Sequence, residues 1–264
     1  MSKIAITSPV YLKNPEHRRY LDLTTKSIVS REHDIYYIPV ENFIQPSLFP
    51  LMYAFVHEPL EIHKLVGRLP QSVSSAWNDG IQKAADLDCD YVLVINTDIV
   101  FKSNAIDRLV AFAEAYKEAI IWTASEYSDL ALLEESPEDE NFSEHPHFSC
   151  FMVNPKEFIE KFGKFDENFR PAYLEDGDAH ARLSLAGEKC YIYGGSKFYH
   201  FGSRTIKSDT EEWNKNTISF PKNQQYFVDK WGHPPVGEVA RMKEVYFKTP
   251  YNEDKPLNYW RQSA

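Results

Sequence analysis

The chain has few cysteines and no long hydrophobic run, and each shortage excludes a class of protein. Cys89, Cys150 and Cys190 are far apart and form no CxxC pair. A disulfide framework or a structural zinc site is therefore not expected, and reduced thiols in a cytoplasmic compartment fit the pattern best. No stretch approaches the roughly 18 apolar residues that span a membrane, and the first residues carry too short an apolar run for a signal peptide. We expect a cytoplasmic protein that is not stably inserted in a membrane.

The chain also lacks a run of lysine and arginine. With 39 acidic and 29 basic residues, its formal net charge is -10. This balance argues against a broad basic surface for nucleic acid, although it leaves room for a local basic groove. Apolar and aromatic residues are plentiful, at 43% and 14% of the 264 residues. That composition is typical of a folded domain with a sizeable core.

Strand and helix patterns alternate along most of the chain, which indicates α/β layering. The first predicted strand, residues 3–7, is ended by Ser8 and Pro9, and one later helix is capped by Ser103 or Asn104. The other predicted strands are 34–40, 91–95, 119–123 and 148–153, and the other predicted helices are 16–30, 71–85, 155–162 and 176–186.

Two segments depart from this alternation. Residues 126–144 contain eight acidic residues and no Lys or Arg, which is typical either of a solvated loop or of a mobile flap over a site. Beyond about Trp231 the chain becomes Pro-rich and polar. We predict one domain over residues 1–232, followed by a tail, residues 233–264, that packs on the domain or forms a homo-oligomer contact.

The most informative segment is Asn96-Thr97-Asp98, which follows the apolar run of residues 91–95. Near-continuous apolar strands are buried on both faces, as in parallel sheets, and ligands bind at the carboxyl ends of such strands. Asp98 could hold a hard divalent cation there, and that cation could bridge the phosphates of a substrate. The alternative is that Asn96 and Asp98 only turn the chain and cap the next helix.

A second group of polar residues surrounds Asp176. Glu175, Asp176 and Asp178 lie at the start of a predicted helix, where the dipole favours negative charge and keeps carboxylates ionised. Either they form an N-terminal cap with an Asp178–Arg182 pair, or one of them is a general base for an acceptor hydroxyl. His200 follows after about one helix and one strand, so it can return to the same sheet edge and ligate Mn²⁺ through a neutral imidazole.

These segments belong to a series of short motifs that follow one another along the chain. The series comprises Trp77-Asn78-Asp79-Gly80-Ile81, Asn96-Thr97-Asp98, Phe148-Ser149-Cys150-Phe151-Met152 with Phe162-Gly163-Lys164-Phe165-Asp166-Glu167, Leu174-Glu175-Asp176-Gly177-Asp178, Tyr199-His200-Phe201-Gly202-Ser203 and Lys230-Trp231-Gly232. In this order they resemble the motifs of glycosyltransferase family 2, which are inverting enzymes that use nucleotide-diphosphate sugars. The rhamnosyltransferase and galactofuranosyltransferase branches are the most similar.

The resemblance covers roughly residues 3–232 and implies a GT-A nucleotide-diphospho-sugar transferase fold, with a mixed, mostly parallel central sheet flanked by helices. It implies that Asp98 and His200 ligate Mn²⁺ or Mg²⁺ and that Asp176 is the catalytic base. The sequence departs from the family at Asn96, which replaces the first Asp of an Asp-x-Asp motif and removes one negative charge. The residues implied at the donor or substrate are Ser8, Glu41, Asn42, Arg68, Asn78, Asn96, Glu175 and Asp178.

The resemblance further implies transfer of a hexose or pentose from a UDP-, dTDP- or GDP-linked donor. The acceptor stays open among a glycan, a lipid-linked glycan, a protein and a modified DNA base, and nucleic acid is expected only as such an acceptor. The first alternative is a non-catalytic module of the same fold that binds sugar nucleotides or glycans. The others are a structural or purely interaction protein and a nucleotidyltransferase. The latter needs a Gly-rich loop after the first strand, where residues 8–13 contain no glycine.

Overall fold

One mixed sheet lies at the centre of this computed structural model, which describes residues 1–51, 60–68, 71–144, 148–202 and 209–231. The strands in these ranges are β1 Lys3–Leu12, β2 Asp34–Ile44, β3 Glu61–Ile62, β4 Leu65–Val66, β5 Tyr91–Ile95, β6 Ile99–Phe101, β7 Ala119–Glu126, β8 Phe142–Ser143, β9 Cys150–Val153 and β10 Lys189–His200. The helices are α1 Pro15–Ser27, α2 Val73–Asp86, α3 Ala105–Ala115, α4 Pro155–Lys161, α5 Glu175–Ala186 and α6 Thr210–Trp231, with a 3-10 helix at Pro46–Leu51.

The strand order in the sheet is β3-β2-β1-β5-β9-β7-β10-β6, with β4 also paired to β2 and β8 to β10. β2, β1 and β5 run parallel, whereas β9 is antiparallel to both of its neighbours. β7 and β10 are again parallel, and β6 pairs antiparallel with the end of β10. Apolar side chains of α3 pack in the core on one face of the sheet, and those of α2, α4 and α5 pack in the core on the other. The predicted α/β class and mostly parallel sheet are confirmed.

β1 is longer than predicted, because it continues through Ser8 and Pro9 to Leu12. Its ladder with β5 ends at Thr7, whereas its ladder with β2 continues to the end of the strand. Proline lacks an N–H and is tolerated where one side of a strand is not paired. The prediction that the first strand ends at Ser8 and Pro9 is therefore wrong. These residues mark only the point where the pairing of β1 with β5 ends.

The sequence patterns do not predict α6, the longest helix among the described residues. Pro221 lies inside it, and an interior proline removes a backbone donor and normally breaks a helix. Phe227 and Trp231 of α6 are buried against Phe169 and against Ala181 of α5. Tertiary packing, which no local pattern shows, therefore holds this helix in place.

The acidic segment, residues 126–144, is hydrogen-bonded to residues around the start of α3. Leu133 and Ser136 are buried, and Lys102 Nζ donates to the Ser136 carbonyl (2.7 Å). Asn104 occupies the N-cap position of α3 but makes no side-chain capping bond, so the predicted capping role of Ser103 or Asn104 is wrong. Carboxylates of the segment lie beside this helix start instead, where the dipole favours negative charge. The hydrogen bonds run from Ser103 to Glu134, from Asn104 to Glu138, and from Arg108 to Glu138 and Glu140.

Among the described residues, no helix is long and apolar enough to cross a membrane. The predicted tail, residues 233–264, lies outside the described residues, as do Gly232 and Ser203 of the motifs quoted above.

Candidate active site

Asp98 and His200 meet at the ends of two strands that are far apart in the sequence. Asp98 lies in the turn between β5 and β6, and the antiparallel pairing of β6 with β10 sets His200 opposite Ile99. The Phe201 N–H donates to the Asp98 carbonyl (2.9 Å), and Asp98 Oδ1 lies 3.2 Å from His200 Nε2. Both side chains are mostly buried, at 5% and 13% exposure. The structure thus brings together the two residues predicted to ligate a metal.

Asn96 begins the turn that carries Asp98. Its N–H donates to the Ser149 carbonyl (3.1 Å), which continues the ladder between β5 and β9. The element after the turn is β6, and α3 begins only at Ala105. The alternative in which Asn96 and Asp98 cap the next helix is therefore wrong. The described residues contain no group of three or more His, Cys, Asp or Glu side chains arranged to hold a metal, so a cation at Asp98 and His200 would take its remaining ligands from substrate and water.

Asp176 and Glu175 begin α5 and have opposite surroundings. Asp176 is exposed, and its Oδ1 accepts from the Gly177 N–H (2.8 Å). Glu175 is 6% exposed, and its Oε2 has no hydrogen-bond partner among the described residues. Burial, and then the charge of Asp176, raise the pKa of Glu175 to about 8. The expectation that the helix dipole keeps all three carboxylates ionised is wrong for Glu175, because burial outweighs the dipole there.

A short series of contacts joins the start of α5 to the end of β5. Ser149, which accepts the Asn96 N–H, directly follows Phe148. The Phe148 ring lies 5.5 Å from the ring of His180, one helical turn after Asp176. These contacts connect the first turns of α5, which carry Asp176, to the strand end that leads into Asn96 and Asp98.

Asp178 is buried in an ion network between α5 and α6. It is 0% exposed, and it lies 3.1 Å from Arg182 Nε and 2.5 Å from Lys230 Nζ. Trp231 Nε1 also donates to its Oδ1 (3.0 Å). The Asp178–Arg182 pair of that alternative is present, but its capping part is wrong, because the N-cap of α5 is Leu174 and no described side chain makes a capping bond there. Asp178 has no exposed oxygen with which to orient a substrate. The network also gives a structural reason for the Lys230-Trp231 motif.

Of the three predicted donor residues on the first two strands, Ser8 is not accessible. It is 1% exposed and hydrogen-bonds the Tyr37 hydroxyl (2.7 Å), because β1 continues past it. Glu41 and Asn42 are partly exposed near the end of β2. Asn42 Oδ1 is buried and has no hydrogen-bond partner within the part of the chain that the structure describes, and a Cβ at Gly67 would approach it to 2.2 Å. Asn42 therefore stays a candidate for donor binding, and a side chain at residue 67 would displace its amide group.

Arg68 and Asn78 hold the segment after α4 against α2. Arg68 is half-exposed, and its Nε lies 2.8 Å from Asp79 and its second guanidinium nitrogen 2.9 Å from Glu167. Asn78 is 5% exposed and exchanges hydrogen bonds with the backbone N–H (2.8 Å) and carbonyl (3.0 Å) of Phe165. Asn78 thus has a structural role, while the exposed part of Arg68 leaves its predicted role at the donor open.

The fold is similar to that of known glycosyltransferases. The fold matches a mannosyltransferase, PcManGT from Pyrobaculum calidifontis, solved in complex with GDP-Man and Mn²⁺ (TM-score 0.58, 11% identity, 92% of this chain and 69% of that chain). It also matches residues 1–349 of S. aureus TarS (TM-score 0.54, 11% identity, 92% and 68%), which has also been solved with UDP. The chain therefore has the GT-A glycosyltransferase fold.

A galactofuranosyl glycosyltransferase from Leishmania donovani is 28% identical over 135 residues, which is 45% of this chain and 31% of that protein. The matched part of this chain thus corresponds to less than a third of the relative's length. No protein family model matches the chain. The resemblance to glycosyltransferases that the motifs indicate is confirmed by the relative and the fold.

Proposed function

We propose that the chain is a metal-dependent, inverting glycosyltransferase that moves a sugar from a nucleotide-diphosphate donor to an acceptor hydroxyl. The observation that carries the proposal is the 3.2 Å approach of Asp98 Oδ1 and His200 Nε2. One structural neighbour is solved with GDP-Man and Mn²⁺ and another with UDP, which supports a nucleotide-sugar donor. The similarity to a galactofuranosyl glycosyltransferase favours a galactofuranosyl donor or a related sugar.

Asp98 and His200 fit a divalent cation. A carboxylate oxygen together with an imidazole nitrogen suits Mn²⁺ better than Mg²⁺, which prefers oxygen ligands. Both side chains are mostly buried, and charge interactions are stronger away from bulk water. When bound, such a cation would neutralise the negative charge that develops on the departing diphosphate. Asn96 in place of an aspartate leaves this position with one charge fewer.

Asp176 is the residue that would remove the acceptor proton. Its carboxylate is exposed, and the Gly177 N–H fixes Oδ1 (2.8 Å), which leaves Oδ2 to accept the proton. As the acceptor oxygen loses this proton it attacks the anomeric carbon, and the bond from that carbon to the diphosphate oxygen breaks. Attack from the face opposite the leaving group inverts the anomeric centre. Because Glu175 is buried and largely neutral at pH 7, it adds no second negative charge to repel the diphosphate.

The test is slow donor hydrolysis over a panel of UDP-, dTDP- and GDP-sugars with Mn²⁺, Mg²⁺ or EDTA. We expect one donor to be cleaved only with metal. Asp98→Ala should weaken metal-dependent donor binding by about tenfold or more, because it removes a charged ligand. Asp129→Asn, which changes an exposed carboxylate of the acidic segment, serves as the control and should match wild type.

The same assay tests the base. Asp176→Asn should slow transfer by about 10²- to 10⁴-fold, the usual contribution of a general base, with donor affinity unchanged. Equal loss of binding and transfer would remove Asp176 from this role. If calorimetry detects donor binding but no cleavage occurs, even with candidate acceptors, the non-catalytic module is favoured. Absence of donor binding would contradict the proposal altogether.

A further inference from the structure

Asn223 of α6 is hydrogen-bonded to the backbone of the turn that leads into α5. It is 4% exposed. Its Nδ2 donates to the carbonyls of Ala172 (2.9 Å) and Tyr173 (3.2 Å), and its Oδ1 accepts from the Arg170 N–H (3.2 Å). One buried side chain on a distant helix therefore satisfies three backbone groups within four residues of the turn.

The turn that Asn223 contacts has an unusual backbone. Tyr173 and Leu174 have φ angles of 77° and 76°, in the left-handed region that non-glycine residues rarely adopt. Leu174 is also the N-cap of α5, and its side chain makes no capping hydrogen bond. A left-handed pair of non-glycine residues costs conformational energy and persists only where its surroundings hold it. The hydrogen bonds from Asn223 supply part of that support.

The same turn decides where the first two side chains of α5 point. Leu174 ends the turn, and the Asp178 N–H donates to its carbonyl (2.9 Å) as α5 begins. With the helix started there, Glu175 is 6% exposed while Asp176 faces solvent. If the turn relaxed toward ordinary φ angles, the start of α5 would rotate and both carboxyl groups would move.

We infer that Asn223 is a positioning residue for Asp176: it holds the left-handed turn at 173–174 and so sets the direction of the carboxylate that removes the acceptor proton. The inference rests on the proposed function. Asn223 does not touch the reacting atoms, and it acts through the backbone of the turn. A misplacement of about 1 Å at a reacting group can cost about 100-fold in rate, so support of this turn has a direct consequence for catalysis.

α6 has a second attachment to α5, which allows the turn to be tested separately from helix docking. Trp231 Nε1 donates to Asp178 (3.0 Å), and Lys230 Nζ lies 2.5 Å from the same carboxylate. These contacts lie two turns of α6 beyond Asn223. A variant at Asn223 should therefore keep α6 in place while it loosens the turn. Trp231→Phe provides a control that weakens docking but keeps the three hydrogen bonds between Asn223 and the turn.

The experiment compares Asn223→Ala, the isosteric Asn223→Asp and Trp231→Phe. Asn223→Asp places an oxygen against two carbonyl oxygens, and its unchanged shape makes it the informative variant if Asn223→Ala does not fold. We expect both Asn223 variants to lower kcat by about 100-fold while the KM for the donor changes less than about threefold. Trp231→Phe should lower Tm at least as much and keep kcat within about threefold. A kcat loss in the Asn223 variants no larger than in Trp231→Phe would overturn the inference.

A suppressor distinguishes positioning from general loss of packing. Glycine adopts positive φ without strain, so Leu174→Gly should restore at least about tenfold of the kcat lost in Asn223→Ala. If Asn223 only contributed packing, Leu174→Gly would remove further apolar contact and lower activity again. Failure of this rescue would also count against the inference.

Hydrogen exchange makes the result independent of activity. The Asp178 amide, which makes the first hydrogen bond of α5, should exchange faster in Asn223→Ala, with amides of β5 unchanged. Unchanged exchange at Asp178 would overturn the positioning role. Absence of donor cleavage by the wild-type protein, with faster exchange at Asp178 in the variant, would instead contradict the proposed function.

Discussion

At the scale of single residues, the two carboxyl groups that begin α5 show how surroundings divide the roles of neighbours. Glu175 is buried, and its pKa is raised to about 8. Asp176, one residue later, is exposed and held by the Gly177 N–H. The Glu175 carboxyl is therefore largely neutral at pH 7, whereas the Asp176 carboxylate is open to solvent.

The raised pKa makes Glu175 a source of pH-dependent instability. In the unfolded chain this carboxyl ionises near pH 4.5, whereas the folded protein keeps it protonated until about pH 8. The unfolded state thus binds fewer protons between these values, and stability falls as pH rises through them. We expect Glu175→Gln to raise Tm at pH 8 by roughly 5 to 10 °C relative to wild type and to change it little at pH 4.5. Thermal unfolding at the two pH values checks this, and an equal Tm difference at both would contradict it.

The residues of the candidate site could be predicted from the sequence, but their surroundings could not. Asp98, His200 and Asp176 lie in recognisable motifs, and the structure brings the first two within 3.2 Å. Asp178 belongs to the same acidic motif as Asp176, yet it is buried against Arg182 and Lys230. Which carboxylate of a motif is exposed depends on the elements packed against it, and the motif does not contain that information.

At the scale of elements, the contact between α2 and β1 explains the glycine of the Trp77-Asn78-Asp79-Gly80-Ile81 motif. A Cβ at Gly80 would lie 2.0 Å from Thr7 Oγ1 and 2.7 Å from its Cβ. Thr7 is itself fixed, because its hydroxyl donates to the Ile38 carbonyl (2.8 Å). The helix can therefore lie this close to the strand only if residue 80 has no side chain.

Gly80→Ala should destabilise the protein in spite of the better helix propensity of alanine. We expect a loss of about 1 to 3 kcal/mol in the free energy of unfolding, the usual cost of overpacking a core. Urea denaturation provides the measurement. Gly187→Ala is not a suitable control, since Gly187 has a φ of 68°, so the exposed helical change Gln82→Ala is used instead. If Gly80→Ala is as stable as Gln82→Ala, close helix–strand contact does not explain this glycine.

Local sequence patterns predict most of the elements, but they do not predict α6. Strand β5 matches its prediction residue for residue, because five consecutive apolar positions are buried on both faces. Helix α6 carries Pro221 and is held by distant partners, among them Phe169 and Asp178. The left-handed turn at residues 173–174 could not be predicted from the sequence either, since Tyr and Leu give no local signal for positive φ.

At the scale of the whole molecule, Lys230 joins three parts of the chain. Its Nζ lies 2.7 Å from Asp166, in the segment after α4, and 2.5 Å from Asp178 on α5. Although burial opposes it, the charge of Lys230 lowers the pKa of Asp166 to about 2. Removal of one partner from such a buried group is costly, because it leaves the other charge unpaired.

This network should contribute to acid unfolding. The stability from Asp166 is complete above its unfolded pKa of 3.8 and is lost as pH falls toward about 2. A shift of this size corresponds to about 2 kcal/mol. Between pH 5 and pH 2, the free energy of unfolding should therefore fall by about 2 kcal/mol less in Asp166→Asn than in wild type. Urea denaturation at several pH values in this range provides the measurement. Parallel curves for the two proteins would show that Asp166 does not contribute.

The position of β10 determines the order in which the site can be completed during synthesis. β10 is the last strand along the described chain, yet it lies inside the sheet between β7 and β6. Asp98 therefore leaves the ribosome about 100 residues before His200, the residue with which it pairs. Until β10 arrives, β7 keeps one open edge, and open edges invite wrong pairing in unfinished chains. Both partners of the candidate metal pair are present only when the sheet is nearly finished, so a nascent chain cannot form the pair before its fold is almost complete.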